Sequence, residues 1–255
     1  MTDLPDLQYG PRRDPMRYVH EEGTLQAALA RRLLGVPPGA GDASAIAHEV
    51  SEVIAKQAPD GAFGESPSDT AKALCRLFEL GCAPDMPEVV QGLDALPRQH
   101  RAEGTPDPAD GDNLKDPVHA HGREGSLANE AIDALTLGGR HSVPELRPSL
   151  RHMAGHVETW LRTTGCPWGP NWYTQTLWNA RHVEDVEATV LLSLRWFARH
   201  MDDAGLVGYM DPWGHVKTAG VVDHPLGANQ ARRMLPLVLR TQRPDGGWGD
   251  NTVDV

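Results

Sequence analysis

Three carboxylates crowd one short stretch, Glu184-Asp185-Val186-Glu187, at the head of a segment with helical periodicity. Val183, Val186, Val190, Leu194 and Phe197 recur at steps of three and four. At about 100° per residue, Glu187 falls within that apolar stripe and Asp185 points the other way. A carboxyl group on an apolar face loses hydration, which favours its neutral form. A neutral, desolvated acid could protonate an alkene or an epoxide. The same acids also suit a helix N-terminus for a purely structural reason, because the macrodipole favours anions there.

The stretch just before them, Asn171-Trp172-Tyr173-Thr174-Gln175-Thr176-Leu177-Trp178-Asn179, is dense in aromatics and reads as a loop. Ring faces at the mouth of a cavity could stabilise a carbocation or stack on sugars. They could equally pack the loop onto helix ends. Trp172, Tyr173, Trp178 and, further on, Trp213 are the candidate substrate-binding residues. The skew is general, since all seven Trp lie beyond residue 159.

Histidine supplies three sets to weigh as metal ligands. His152 and His156 stand four apart with Glu145 nearby. His119 and His121 share an acidic stretch with Asp112 and Asp116. His215 and His224 flank a short segment. None has the spacing of a zinc site, and each reads as structural or solvent-facing. A phosphate-cradling glycine loop, a nucleophile elbow and an HExxH stretch are all missing from the sequence. The expectation is no metal and no cofactor.

These residues need a scaffold, and the pattern that supplies it is helical. Periodicity and breakers predict helices near 24–35, 43–57, 68–81, 86–99, 126–137, 145–163, 183–201 and 226–241. The clearest, after the stripe above, runs through Leu146, Leu150, Met153, Val157 and Trp160. Residues 1–22 read as an irregular lead-in, and 101–123 as the longest loop, a place for disorder or a lid. Alternating β-branched runs are lacking, so the fold class expected is all-α.

Composition limits the partners. The chain has 255 residues, 40% of them hydrophobic, which is enough for a sizeable core. With 24 Lys and Arg against 35 Asp and Glu the net charge is −11, and nucleic acid is excluded as a partner because it needs a basic footprint. Three cysteines cannot frame a disulfide scaffold. No secretory leader is visible, and no run of about 18 apolar residues could span a membrane. The expected location is cytoplasmic, with peripheral membrane contact left open.

One spacing recurs. Gln57-Ala-Pro-Asp60-Gly61-Ala-Phe63-Gly64 and Gln242-Arg-Pro-Asp245-Gly246-Gly247-Trp248-Gly249 share the pattern Gln-x-Pro-Asp-Gly-x-aromatic-Gly. Weaker copies are Thr164–Gly169 and Asp203–Tyr209. The pattern reads as a staple: Pro ends a helix, Asp-Gly turns with Gly at positive φ, and the aromatic folds back on the helix ends. A capping residue follows, as in Ser68-Asp69-Thr70.

The segment Gln242–Gly249 resembles the QW motif of squalene and oxidosqualene cyclases, and Gln57–Gly64 a variant of it. The repeat also occurs, less regularly, in protein prenyltransferase β subunits. The resemblance implies an α/α toroid over residues 23–255, with two concentric rings of antiparallel helix pairs around an apolar cavity. It also implies an isoprenoid-like substrate. The initiating Asp-x-Asp-Asp run of those cyclases has no counterpart here, nor does the Asp-x-Cys zinc pair of the prenyltransferases or the Asp-Asp-x-x-Asp diphosphate motif. The sequence stops six residues after the last Trp-Gly. A further inner helix is due there, so the expectation is an incomplete toroid or a piece of a longer parent.

The leading functional expectation is a terpene cyclase-like enzyme in which Glu187, Asp185 or Glu184 protonates an apolar substrate lined by the aromatics. A carbohydrate-active toroid, with a polar open groove, is the first alternative. A non-catalytic helical-repeat binding protein is the second.

Overall fold

The computed structural model describes residues 15–103, 127–163, 168–203, 205, 207 and 212–240. They form eleven helices and, among the described residues, no strand beyond one isolated bridge between Met201 and Val207. In chain order these are α1 Pro15–Glu21, α2 Leu25–Leu34, α3 Asp42–Ile54, α4 Pro67–Glu79, α5 Pro87–Glu103 and α6 Asn129–Leu137. Then come α7 Leu146–Thr163, α8 Trp168–Ala180, α9 Glu187–His200, α10 Pro212–Val221 and α11 Pro225–Arg240. The all-α expectation holds.

Local chemistry explains the boundaries. Helices α1, α4, α5, α10 and α11 each begin at a proline, whose fixed φ suits the first helical position and whose missing N–H costs nothing there. Helix α4 has a full capping box: the Ser66 hydroxyl accepts from the Asp69 N–H while the Asp69 carboxylate accepts from the Ser66 N–H. At its other end, Gly81 at φ +86 donates to Phe78 O and Cys82 N–H donates to Leu77 O. Helix α6 ends the same way, through Gly139 N–H to Thr136 O and Arg140 N–H to Leu135 O.

Packing follows two rows. Helices α4, α6, α8 and α10 touch in sequence, each against the next even-numbered helix. Helices α7, α9 and α11 form a second row, and α5 lies across α4 and α6. Helices α1 to α3 pack in chain order and join the rows where α3 meets α4. The core between the rows includes Leu74, Leu77, Leu93, Ile132, Leu150, Leu194 and Phe197. In the α1–α3 end, a buried ion pair does comparable work. Arg31 reaches Asp42 through two bonds and also donates to the carbonyls of Val19 and Glu22, so one side chain ties three helices together.

The Gln57–Gly64 turn matches its reading closely. Gly61 sits at φ +92, with a Cβ position only 2.6 Å from the Gln91 carbonyl oxygen, so both conformation and space require glycine. The Phe63 ring is buried against Gly92 and Leu74. Its N–H donates to Thr70 Oγ1 at 3.0 Å. Gln57 Nε2 donates to Gly61 O at 3.0 Å and to Glu88 O at 2.8 Å, linking the turn to the start of α5. Two details differ from the expectation: α3 ends at Ile54 rather than Gln57, and the capping residue is Ser66. The second copy, Gln242–Gly249, lies outside the described residues, as does most of 101–123.

Three helices were not expected. Residues 15–21 are helical, not irregular. The aromatic stretch at 171–179 is helix α8, not a loop. Its period was hidden because Asn171, Thr174 and Thr176 are buried although polar, so burial and polarity disagree along it. Helix α10 has two glycines and little amphipathic contrast, and its buried face carries His215 and Thr218.

Candidate functional site

The acids singled out in the sequence lie on the outside of the turn between α8 and α9. Asp185 and Glu187 are exposed. Glu187 is spaced to share the stripe with Leu194, yet it is the first residue of α9 and stays exposed between the buried Val186 and Val190. Val183, counted as the first residue of the stripe, belongs to the preceding turn. Glu184 pairs with Arg151 at 2.9 Å and with Arg147 at 3.6 Å. The hydrogen bond from Arg151, opposed by partial burial, holds its carboxyl below the usual carboxylate range. A general acid needs the opposite shift. Glu187 is thus exposed rather than set on the buried apolar face expected for it, and all three acids lie at the start of α9, where the macrodipole favours anions.

The aromatics are also accounted for by packing where their side chains are described. Tyr173 is 1% exposed and Trp178 6%. The Arg181 guanidinium covers one face of the Trp178 ring, 3.8 Å from its centre. Both rings belong to the core. Trp172 lies in α8 and Trp213 in the first turn of α10, and their side chains fall outside the described part.

A different carboxylate is set where the helix row meets. Glu130 and Asp133 stand three apart on α6 and so share a face. Thr176 and Asn179 do the same on α8, and the two helices are in contact. The Thr176 hydroxyl donates to Asp133 Oδ2 at 2.9 Å, and Asn179 Nδ2 lies 3.4 Å from Oδ1. Asp133 is half-buried and Thr176 is buried. From α4, the Cys75 thiol donates to the Glu130 carbonyl at 3.6 Å. Burial, followed by the charges of Asp133, Glu130 and Glu79, pushes this thiol up to about 12. At neutral pH it is a protonated donor, not a nucleophile.

Helices α6 and α8 therefore meet at a carboxylate that Thr176 and Asn179 help to orient, with the Cys75 thiol of α4 beside them. Such an acceptor can receive hydroxyl or cationic groups of a ligand, or face positive charge that develops on one. Sequence reasoning missed it because Asp133 has no distinctive neighbours in the chain, and its partners are 43 and 46 residues away.

The histidines sort differently from the three sequence sets. His215 is fully buried, with Nε2 3.0 Å from Gln230 Oε1, while Gln230 Nε2 donates to Leu194 O at 2.5 Å. Because that amide already donates, its oxygen must accept, which fixes the proton of His215 on Nε2. Burial lowers the His215 pKa to about 4, against a smaller raising effect from Gln230. His224 accepts from the Leu226 N–H and serves the start of α11. His152 and His156 stack on α7 with centroids 6.4 Å apart, and His156 meets Trp160 and Tyr173 edge-on. His119 and His121 lie outside the described residues. Among the described residues no three metal-ligating side chains cluster. None of the helices there is long and apolar enough to cross a membrane.

No protein-family model matches the chain, and no curated protein or solved structure matches it either.

Proposed function

We propose that the chain is an α/α-toroid protein of the squalene-cyclase type, its even-numbered helices forming an arc of the inner ring. In this reading the arc binds an isoprenoid-like substrate beside Asp133. The observation that carries it is the packing of α4, α6, α8 and α10 in sequence, with α7, α9 and α11 in sequence beside them. It is joined by the Gln57–Gly64 turn, which connects α3 to α4 and ties to the start of α5. Asp133 takes the place of the outer acids in this proposal. As a carboxylate held by Thr176 and Asn179 it stabilises positive charge on a substrate rather than delivering a proton.

A second reading draws on the polarity of that set. A carboxylate, a hydroxyl and an amide at one place are the groups that recognise sugar hydroxyls, and they favour a carbohydrate ligand in an open groove. One experiment separates the two. The purified chain is exposed in parallel to a total lipid extract and to an oligosaccharide mixture, and retained molecules are identified by mass spectrometry. Retention of an isoprenoid by the wild type and by E187Q, with at least ten-fold less on D133N, supports the first reading. Retention of oligosaccharide with the same variant pattern supports the second. Retention of neither leaves the helical-repeat binding protein as the function.

A further inference from the structure

Two imidazoles from separate turns face each other nitrogen to nitrogen. His141 follows the end of α6 and His182 follows the end of α8, and their Nε2 atoms are 3.1 Å apart with rings at 68°. His141 Nε2 also lies 3.3 Å from the Thr136 carbonyl oxygen. We propose that His141 and His182, with the Thr136 carbonyl beside them, form a binding site for a divalent transition-metal ion such as zinc.

The separation is the first support. Two nitrogens each about 2.05 Å from one ion stand about 2.9 Å apart in a right-angled arrangement and about 3.4 Å apart in a tetrahedral one. The observed spacing falls between these limits, so both rings reach one ion from where they already are. The Thr136 oxygen is at a comparable distance from one of them. A carbonyl has a second lone pair beyond the one that Gly139 N–H occupies.

Support of the His182 ring agrees with ligation. The Asn179 carbonyl accepts a hydrogen bond from the same ring. With Nε2 turned toward His141, the other nitrogen is left for that carbonyl, and a metal-binding histidine is commonly oriented this way. Both histidines are exposed on the protein surface, so an ion keeps access to water for its remaining positions.

Helix ends supply the field. Asp133, four residues before the end of α6, bonds Thr176 and Asn179, which stand four and one residues before the end of α8. The two helices therefore end within about a turn of each other, and the histidine pair follows both ends. The negative poles of two helices favour a cation there. Of the adjoining arginines, Arg140 is bound by Asp94 at 2.9 Å and Arg181 lies over Trp178.

The test uses the tag-free full chain and zinc chloride. Calorimetric titration is run on the wild type, H141A, H182A, H152A and H48A, the last removing an exposed histidine that lies outside both pairs. The expected result is one zinc per chain, with affinity falling at least ten-fold in H141A and H182A and unchanged in H48A and H152A. Histidine side-chain NMR of the wild type should show the His141 and His182 nitrogens shifting together on zinc addition, a readout that needs no variant to fold. Absence of zinc binding overturns the proposal. So does loss of binding in H152A alone, or wild-type shifts confined to other histidines.

Discussion

Two turns of this molecule are built on opposite principles. The α3–α4 turn is held by side chains that meet backbone atoms: Gln57 on two carbonyls, Asp60 Oδ1 on the Ala62 N–H, Thr70 on the Phe63 N–H, and Arg98 on the Asp60 carbonyl. Most of those bonds close within ten residues. The α8–α9 turn is held by charged or titratable side chains: Glu184 on Arg147 and Arg151, His182 on His141, and Arg181 on Trp178. Two of these reach 33 and 41 residues away. The first turn has no pair of charged side chains facing each other in these bonds, so salt and protons have less purchase on it. The second is held by contacts that salt screens and protons alter, so a change of medium should act there before it acts on the staple.

The largest effect that would sharpen this contrast is steric. Gly61→Val should destabilise the chain by about 3 kcal/mol, combining a left-handed backbone with a side chain forced against Gln91 O. Denaturation midpoints measure it, and the loss should be the same at low and high salt. A loss below about 1 kcal/mol would mean that the staple is not the fixed element of the fold.

The next effect concerns a network of neutral partners that still senses protons. His215 has a folded pKa of about 4 against 6.5 for the free side chain. A depressed histidine pKa means that the unfolded chain binds the proton first as pH falls. Stability is therefore full above about pH 6.5 and declines between 6.5 and 4, by on the order of 3 kcal/mol over the whole window. Unfolding free energies at pH 7 and pH 5 should differ in the wild type, and H215L should flatten that difference. Equal slopes in the two proteins would assign the acid response elsewhere.

The same contrast explains what could be read from the residues alone. Helix positions, the staple and the role of Gly61 depend on neighbours within a few residues, and periodicity or turn chemistry reports such neighbours directly. Helix α8 escaped because it buries Thr174 and Thr176, which a period based on apolarity counts as exposed. Glu187 was misplaced because the stripe was extended backwards through Val183 into a turn, past the residue where the helix begins. Asp133 and the His141–His182 pair escaped for another reason. Each is ordinary in its own segment and acquires meaning from a residue more than 40 positions away. Packing of whole helices had to bring those residues together.

A smaller effect should come from Gln57→Ala. The change leaves the Gly61 and Glu88 carbonyls without their shared donor and should cost about 1–2 kcal/mol by chemical denaturation. Because the partners are uncharged, the cost should not change between low and high salt. A salt-dependent cost would erase the distinction between the two turns.

The smallest effect tests the other turn from its own side. Glu184→Gln removes the charge that Arg147 and Arg151 share while keeping the shape of the side chain. The two arginines are mostly exposed, so the pairings are weak and screened. The melting temperature should fall by only a degree or two at low salt and by nothing measurable at high salt. Since hydrogen bonding to Arg151 holds the Glu184 carboxyl below its usual range, the wild-type advantage should be present at neutral pH. It should disappear as pH falls through that lowered value, where the carboxyl takes up its proton. An E184Q melting curve that tracks the wild type at low salt and pH 7 would show that this turn is not held by charge, and the contrast with the staple would fail at its weaker member.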